Sequence, residues 1–402
     1  MEKFDVAVVG LGPAGLKFAQ LALLNELKVV CFEKNFAGGT CLNVGCIPTK
    51  SILCDAHSGA TWESARARAE KITKTFRSAV EKSLVAQGAE IVFQEAQIVD
   101  KNTILANGTE YKADKIICAS GSSQAQIKGL ECDGEFLLSS DDIFKLETVP
   151  ESILIIGSGA IGIEWARIFS NLGSSVTVVE KAPNLLPALD ISVSKRMERI
   201  LRARKIKFYT SCGVEKIEDK KVILENGEII EPEKVLVAIG RVPVCPKLPE
   251  GVFAIGDAKP VLMLAHSAEA QAVTLFNHLY CGRELTEIKT SDIPSVIYGT
   301  PEIASIGIRE QDIQNIDDYK IYNYPLLKLA KAHCDNQIEG FIKIITTLNG
   351  EIKGAHIVSL EASSLISQIQ IAMKGKLKVE DIKEIIFAHP TLSEGIKEAL
   401  FE

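Results

Sequence analysis

The segment Gly38-Gly39-Thr40-Cys41-Leu42-Asn43-Val44-Gly45-Cys46-Ile47-Pro48-Thr49-Lys50 carries two thiols separated by four residues. That spacing is not the usual one for zinc, and no second pair lies near it. An iron–sulfur site would require a further Cys-x2-Cys. The residues leave two readings, a pair of free thiols or a redox pair. Gly45 permits a tight loop between them, and Pro48 suits the first turn of a helix. Cys46 then stands at a helix start, where a thiolate is favoured. Such a thiolate can donate charge to an electron acceptor stacked beside it. Near the other end, Thr391-Leu392-Ser393-Glu394 follows His389. The run fits a capping box, with Glu394 reaching back over its own helix start. The same carboxylate can orient the His389 imidazole as a base for a thiol proton.

Two repeated units must position this chemistry. Val6–Val9 is a strand pattern, followed by Gly10-Leu11-Gly12-Pro13-Ala14-Gly15, a helical stretch, and a second strand ending at Glu33. Ile153–Ile156, Gly157-Ser158-Gly159-Ala160-Ile161-Gly162, a helix and a strand ending at Glu180 repeat the arrangement 147 positions later. In each copy the acid stands 23 positions after the first glycine. Glycines let backbone approach a pyrophosphate, the helix start offers N–H groups, and the acid bonds a ribose hydroxyl. Two copies predict two dinucleotides, a flavin (FAD) and a nicotinamide. Glu180 favours NAD, because a carboxylate repels a 2′-phosphate. Ile104–Gly108 matches Ile223–Gly227, and Ile116–Gly121 matches Val235–Gly240, both at an offset of 119. Asn-Gly in the first of these matches is a hairpin signal. The first unit therefore carries 28 extra residues, between Glu33 and Asn107, where the cysteine segment lies.

Composition narrows the class. The chain has 402 residues, 47% hydrophobic and 24% charged, with a formal net charge of −7. At about 150 residues per domain this suggests two or three globular domains. The acidic balance argues against nucleic acid, and no apolar run reaches the ~18 residues of a membrane span. Ten cysteines without an export signal suggest free thiols in a reducing, cytoplasmic setting. Cys31, Cys54, Cys118, Cys132, Cys212, Cys245, Cys281 and Cys334 read as small buried or incidental thiols. No metal site is expected. His57, His278, His333 and His356 read as surface or core residues.

The Gly-Gly-Thr-Cys-x4-Cys-x-Pro-x-Lys run after an N-terminal flavin fingerprint resembles the class I pyridine nucleotide-disulfide oxidoreductases, and most nearly their dihydrolipoamide dehydrogenases. The resemblance extends along the chain. Gly251–Ala258 is similar to the second flavin motif, Ile293–Tyr298 to the opening of the interface domain, and His389–Glu394 to the C-terminal catalytic signature. It implies an α/β fold with two Rossmann-like dinucleotide-binding domains, for FAD and NAD, and a C-terminal α+β dimerisation domain. The boundaries it implies are 1–145 (FAD domain with the redox pair), 146–246 (NAD domain), 247–290 (return to the FAD domain) and 291–402 (interface).

By the same resemblance Cys41 and Cys46 form a redox disulfide. Cys41 meets the substrate and Cys46 faces the flavin. Lys50 lies near the flavin and pairs with Glu164, and His389 with Glu394 supplies the base from the partner subunit of a homodimer. Gly10, Gly12, Gly15, Glu33, Gly39, Thr40, Ala96, Gly121, Asp257 and Met263-Leu264-Ala265-His266 are the implied FAD contacts. Gly157, Gly159, Gly162, Glu180, Val214 and Gly240 are those of NAD. The implied reaction is oxidation of dihydrolipoamide borne on a carrier protein or domain of a 2-oxoacid dehydrogenase or glycine-cleavage system. A glutathione reductase-like disulfide reductase and a non-catalytic flavoprotein subunit are the alternatives. The chain departs from the family pattern in two short stretches, 57–87 and after Val244.

Overall fold

The structure is a computed structural model describing residues 3–402. It forms two compact units, one of Met1–Ile52, Glu63–Ala125 and Gly240–Lys289, the other of Leu53–Trp62, Gln126–Ile239 and Thr290–Glu402.

In the first unit β1 (Lys3–Val9), α1 (Pro13–Leu24) and β2 (Val29–Phe32) follow in order. β1 and β2 pair in parallel. Their near-continuous apolar runs suit strands covered on both faces. Ala14, Gly15, Phe18, Ala19 and Ala22 form the buried stripe of α1, at the i, i+4 spacing of a helix against a sheet. The interval of this copy that holds the extra residues folds as α2 (Gly39–Val44), α3 (Cys46–His57) and the 25-residue α4 (Trp62–Ala86). The chain continues through β3 (Glu90–Val92), β4 (Ala96–Asp100), β5 (Thr103–Ala106), β6 (Thr109–Cys118) and β7 (Ser122–Gln124). Strand order in this sheet is β3-β2-β1-β6-β5-β4.

The second unit repeats the plan with β8 (Leu137–Leu138), β9 (Ser152–Ile156), α5 (Ala160–Asn171), β10 (Ser175–Val179), α6 (Ile191–Ala203) and β11 (Lys207–Tyr209). β12 (Val214–Glu218), β13 (Lys221–Leu224), β14 (Ile229–Ile230) and β15 (Lys234–Val237) complete it. The parallel sheet runs β11-β10-β9-β15-β8, with β12-β13-β14 as a separate antiparallel sheet. The copies differ where sequence alone suggested identity. Asn107 and Gly108 both have positive φ, 47° and 76°, as a two-residue primed turn requires. At the second Asn-Gly only Gly227 is left-handed, and Leu224 N–H instead bonds Glu228 C=O across a longer turn. The long β6 is matched by two strands, β14 and β15, because Pro232 stands between them and has no N–H for a ladder.

The chain then returns to the first unit with β16 (Arg241–Pro243), β17 (Phe253–Ala254) and α7 (Ala265–Tyr280). β16 pairs antiparallel with β7, β17 extends the first sheet beside β6, and α7 packs on α1. From 290 onward the second unit holds β18 (Ser295–Ile297), β19 (Glu302–Gly307), β20 (Tyr319–Pro325), α8 (Ala330–Cys334), β21 (Phe341–Thr347), β22 (Ile352–Ser359), α9 (Ala362–Lys374), α10 (Val379–Glu384) and α11 (Glu394–Ala399). This sheet is antiparallel, in the order β18-β19-β22-β21-β20. α9 covers β19 and β22, and α11 covers β20 and β21.

Candidate active site

The two glycine cradles share their local geometry. α1 and α5 open at Pro13 and Ala160, after Gly12 and Gly159 in extended N-cap conformation with no side-chain cap. Their first-turn N–H groups therefore face outward for an anion. A Cβ on Gly15 would stand 1.9 Å from Gly10 O, and one on Gly162 would stand 2.0 Å from Gly157 O. Glu33 ends β2 with one oxygen accepting Leu11 N–H at 2.9 Å and the other accepting Asn35 N–H at 2.9 Å. Glu180 ends β10 and accepts Ser158 N–H at 2.8 Å and Ala182 N–H at 2.8 Å, the same offsets along the chain. Ser158 also donates its hydroxyl to Glu180 at 2.7 Å. The backbone approach, uncapped helix starts and fixed carboxylates fit a dinucleotide in each cradle.

The thiols lie on two short helices. Cys41 is on α2 and Cys46 is the first residue of α3. Gly45 turns the chain between them, where a Cβ would stand 2.8 Å from Thr40 O. Cys41 shares a side-chain hydrogen bond with Cys46. That bond, burial and the Cys46 charge raise the Cys41 thiol against the opposing charge of Lys50, which α3 carries. Asn43, between the cysteines, donates to Ala37 O at 3.0 Å and Gly39 O at 2.8 Å, and accepts from Arg77 Nε at 2.9 Å. Arg77 in turn stacks over Phe36 at 3.8 Å. Nothing local in the sequence pointed to Arg77, 34 residues away on α4.

Arg241 links two of the expected contacts in the first unit, Thr40 directly and Asp257 through Ser122. It donates to Ser122 Oγ and Ser122 O, both at 2.8 Å, and to Thr40 Oγ1 at 3.4 Å. Ser122 donates to Asp257 Oδ2 at 2.7 Å. Gly121 lies in the left-handed region just before Ser122. Leu264 is the extended N-cap of α7, with Met263 before it and Ala265 and His266 in the first turn. Ala96 opens β4 opposite Ala106, and Val214 opens β12 opposite Leu224. Gly240 immediately precedes β16, and its carbonyl accepts Ala125 N–H.

In the second unit Glu164 is a buried residue of α5 that accepts Tyr298 N–H at 3.0 Å. Arg167, one turn on, is 1% exposed and donates to Tyr298 O at 3.1 Å and Pro301 O at 2.9 Å. Burial, with nearby Arg204, brings its pKa down to about 10 against the opposing Glu164 charge. His389 Nδ1 lies 2.9 Å from Glu394 Oε1, and Glu394 Oε2 accepts Thr391 N–H at 2.8 Å. Both bonds lower the Glu394 carboxyl, the Thr391 N–H more than the imidazole. Glu394 is the first residue of α11, earlier than the third position of a capping box, yet it both caps the turn and holds the imidazole.

The sequence reading missed a buried ionic cluster. Lys343 on β21, 2% exposed, reaches Asp190 at 2.8 Å and also Glu310. His356 on β22 lies 3.6 Å from Asp190. Burial pushes Asp190 up, but His356, Lys343, Ser192 and the Glu310 N–H together hold it well below the ordinary carboxylate range. Burial lowers His356 despite Asp190. Among the described residues no cluster of acids, cysteines and histidines is placed to hold a metal, and no helix is long and apolar enough to cross a membrane.

Residues 4–248 match the family model of the pyridine nucleotide-disulphide oxidoreductases, and residues 293–400 match that family's dimerisation domain. The chain belongs to this family. It is 30% identical to a dihydrolipoyl dehydrogenase of Mycoplasma pneumoniae, over 99% of each chain. It is 31% identical to a dihydrolipoyl dehydrogenase of Bacillus subtilis, over 98% of this chain and 97% of the relative. A leghemoglobin reductase of Glycine max is also 31% identical, with 98% and 86% covered. In fold it is similar to an HOCl-induced flavoprotein disulfide reductase of Escherichia coli, with a TM-score of 0.92 at 22% identity, covering 100% of this chain and 99% of that one. As a member of the family the protein is an FAD-dependent disulfide oxidoreductase, and FAD and NAD(H) are the cofactors the family uses. The Mycoplasma alignment extends over 458 positions for a chain of 402 residues.

Proposed function

We propose that the protein oxidises a dihydrolipoyl group borne on a carrier protein, with NAD as electron acceptor. The observation that carries this reading is a cavity of about 170 Å³ into which Cys41 opens. Pro13, Leu16 and Leu42 give it an apolar wall, and its two charges, Lys17 and Glu269, are opposite. A neutral hydrocarbon arm suits that lining. Glutathione disulfide, rich in carboxylates, would want surplus positive charge. Cys46 does not line the cavity, so Cys41 is taken as the thiol that exchanges with substrate.

A substrate thiolate attacks Cys41 Sγ of the Cys41–Cys46 disulfide. A mixed disulfide forms, and Cys46 leaves as a thiolate. His389, held by Glu394, takes the proton of the second substrate thiol. That sulfur attacks the first substrate sulfur, closing the cyclic disulfide and releasing Cys41. Two thiols of the substrate are oxidised and one enzyme disulfide becomes two thiols. FAD, when bound, supplies the two-electron path from this dithiol to NAD. The first cradle is assigned to FAD and the second to NAD. Glu180 opposes a 2′-phosphate, and the adjacent Lys181 is engaged with Glu225 at 3.5 Å. The dimerisation match over residues 293–400 supports a homodimer in which each base serves the partner's thiols, since a C2 axis makes the two shared sites equivalent.

The test is a steady-state comparison of dihydrolipoamide with glutathione disulfide, each with NAD(H) and NADP(H). Dihydrolipoamide with NAD should give the highest kcat/KM. Preference for glutathione disulfide with NADPH would overturn the reading.

A further inference from the structure

Cys118 and Cys245 carry no expected role, yet the first unit brings them together. Cys118 is the buried last residue of β6, and its carbonyl accepts Ile255 N–H at 3.0 Å. Cys245 is exposed and lies two residues beyond β16. Pro243 of β16 stands opposite Ser122 of β7, and Val244 N–H continues the ladder to Gly121 O at 2.9 Å. One more step of that register sets Cys245 opposite Ser120, diagonal to Cys118. Ser120 links the strands, its hydroxyl 3.3 Å from Cys118 Sγ and donating to Val244 O. The two thiols are near enough for each to act on the other's ionisation.

We propose that Cys118 and Cys245 form a second dithiol/disulfide couple, separate from Cys41–Cys46, that closes under a peroxide. The Cys245 thiolate attacks one peroxide oxygen and the O–O bond breaks. One water leaves, and Cys245 becomes a sulfenic acid. Cys118 then attacks the Cys245 sulfur, its thiol proton leaves with the expelled hydroxide as a second water, and the disulfide is made. Two thiols lose two electrons, and one hydrogen peroxide becomes two waters. Burial and the neighbouring Cys118 hold the Cys245 thiol up. The couple therefore reacts slowly and answers sustained oxidation, not turnover. Its closure fixes the chain after β16 to the strand end that carries Ala119. The Ala119 carbonyl packs against the first cradle, only 2.3 Å from where a Cβ on Gly10 would be. Oxidation should therefore hold the flavin more firmly, a consequence that rests on FAD occupying the first cradle, whereas the linkage itself does not.

The holoenzyme is reduced with dithiothreitol, freed of reductant, treated with hydrogen peroxide, denatured in iodoacetamide and digested with trypsin. Mass spectrometry should find peptide 116–128, which carries Cys118, linked to peptide 242–247, which carries Cys245. Cys245→Ser should lose the link and leave Cys118 alkylated. Flavin release in guanidinium should be several-fold slower after oxidation of the unmutated protein, and the peroxide-dependent slowing should be lost in Cys245→Ser. Cys245 recovered as sulfinic acid or joined to another cysteine, with Cys118 alkylated, overturns the couple. The link with unchanged flavin release overturns its effect on the cradle and leaves the couple standing.

Discussion

Adding one methyl group to each cradle should separate the two dinucleotide sites. In Gly15→Ala the new Cβ starts 1.9 Å from Gly10 O and 3.1 Å from both Gly10 C and Val8 Cγ1. Reaching the 3.4 Å of ordinary contact requires the start of α1 to move about 1.5 Å from the loop, because backbone cannot rotate aside as a side chain would. Gly162→Ala starts at 2.0 Å from Gly157 O and needs a similar shift. A hydrogen bond to a charged group contributes about 1.5–3 kcal/mol. Losing two loop N–H groups from a pyrophosphate would then weaken binding by about 3–6 kcal/mol, or about 100-fold to 10⁴-fold. Gly15→Ala should therefore elute from gel filtration with a depressed ratio of FAD to protein. Gly162→Ala should keep its yellow colour and show a raised KM for NADH. A Gly15→Ala protein with full flavin, or a Gly162→Ala protein that loses flavin with its NADH KM unchanged, would refute the assignment of the cradles.

Glu180→Arg should shift coenzyme preference toward NADP(H), read as the ratio of kcat/KM values, since a repulsion becomes an ion pair. Cys41→Ser should show long-wavelength absorbance without reduction and Cys46→Ser should lack it under all conditions; the opposite pattern would exchange their roles. Lys343→Met leaves Asp190 buried without its cation and should cost about 3–5 kcal/mol in urea unfolding, whereas a loss within error would mean that the cluster is neutral to stability. His356 and Asp190 are both depressed in the fold, so each stabilises above its unfolded pKa and loses that contribution as pH falls. Acid should therefore begin to lower the urea midpoint below about pH 6.5 through His356, and Asp190 should add only below about pH 4; a His356→Gln protein that keeps the full drop between pH 7 and 5 would refute this origin.

The geometry of the candidate site was legible in the sequence because it is local. A cradle is made by glycines within six residues of one another and an acid at the next strand's end. The cysteine segment places both thiols within one turn-linked pair of helices, and Glu394 reaches His389 across five positions. The same locality explains the Asn107–Gly108 turn, whose two residues carry the required backbone angles themselves. Where the outcome depended on partners far along the chain, sequence gave no guide. The second Asn-Gly has the same dipeptide, yet it sits in a longer turn closed by Leu224 N–H on Glu228 O. Lys343 and Asp190 are 153 positions apart, and in isolation Lys343 is merely a charge within an apolar strand; only the fold, which brings its ammonium to Asp190 at the start of α6, makes it a buried counter-ion. Arg241, which gathers Ser122, and through it Asp257, and reaches Thr40, and Cys245, which meets Cys118, are likewise products of β16 returning to β7. Those contacts follow from sheet register, and register is set by the collective burial of whole strands, which no residue along the chain encodes alone.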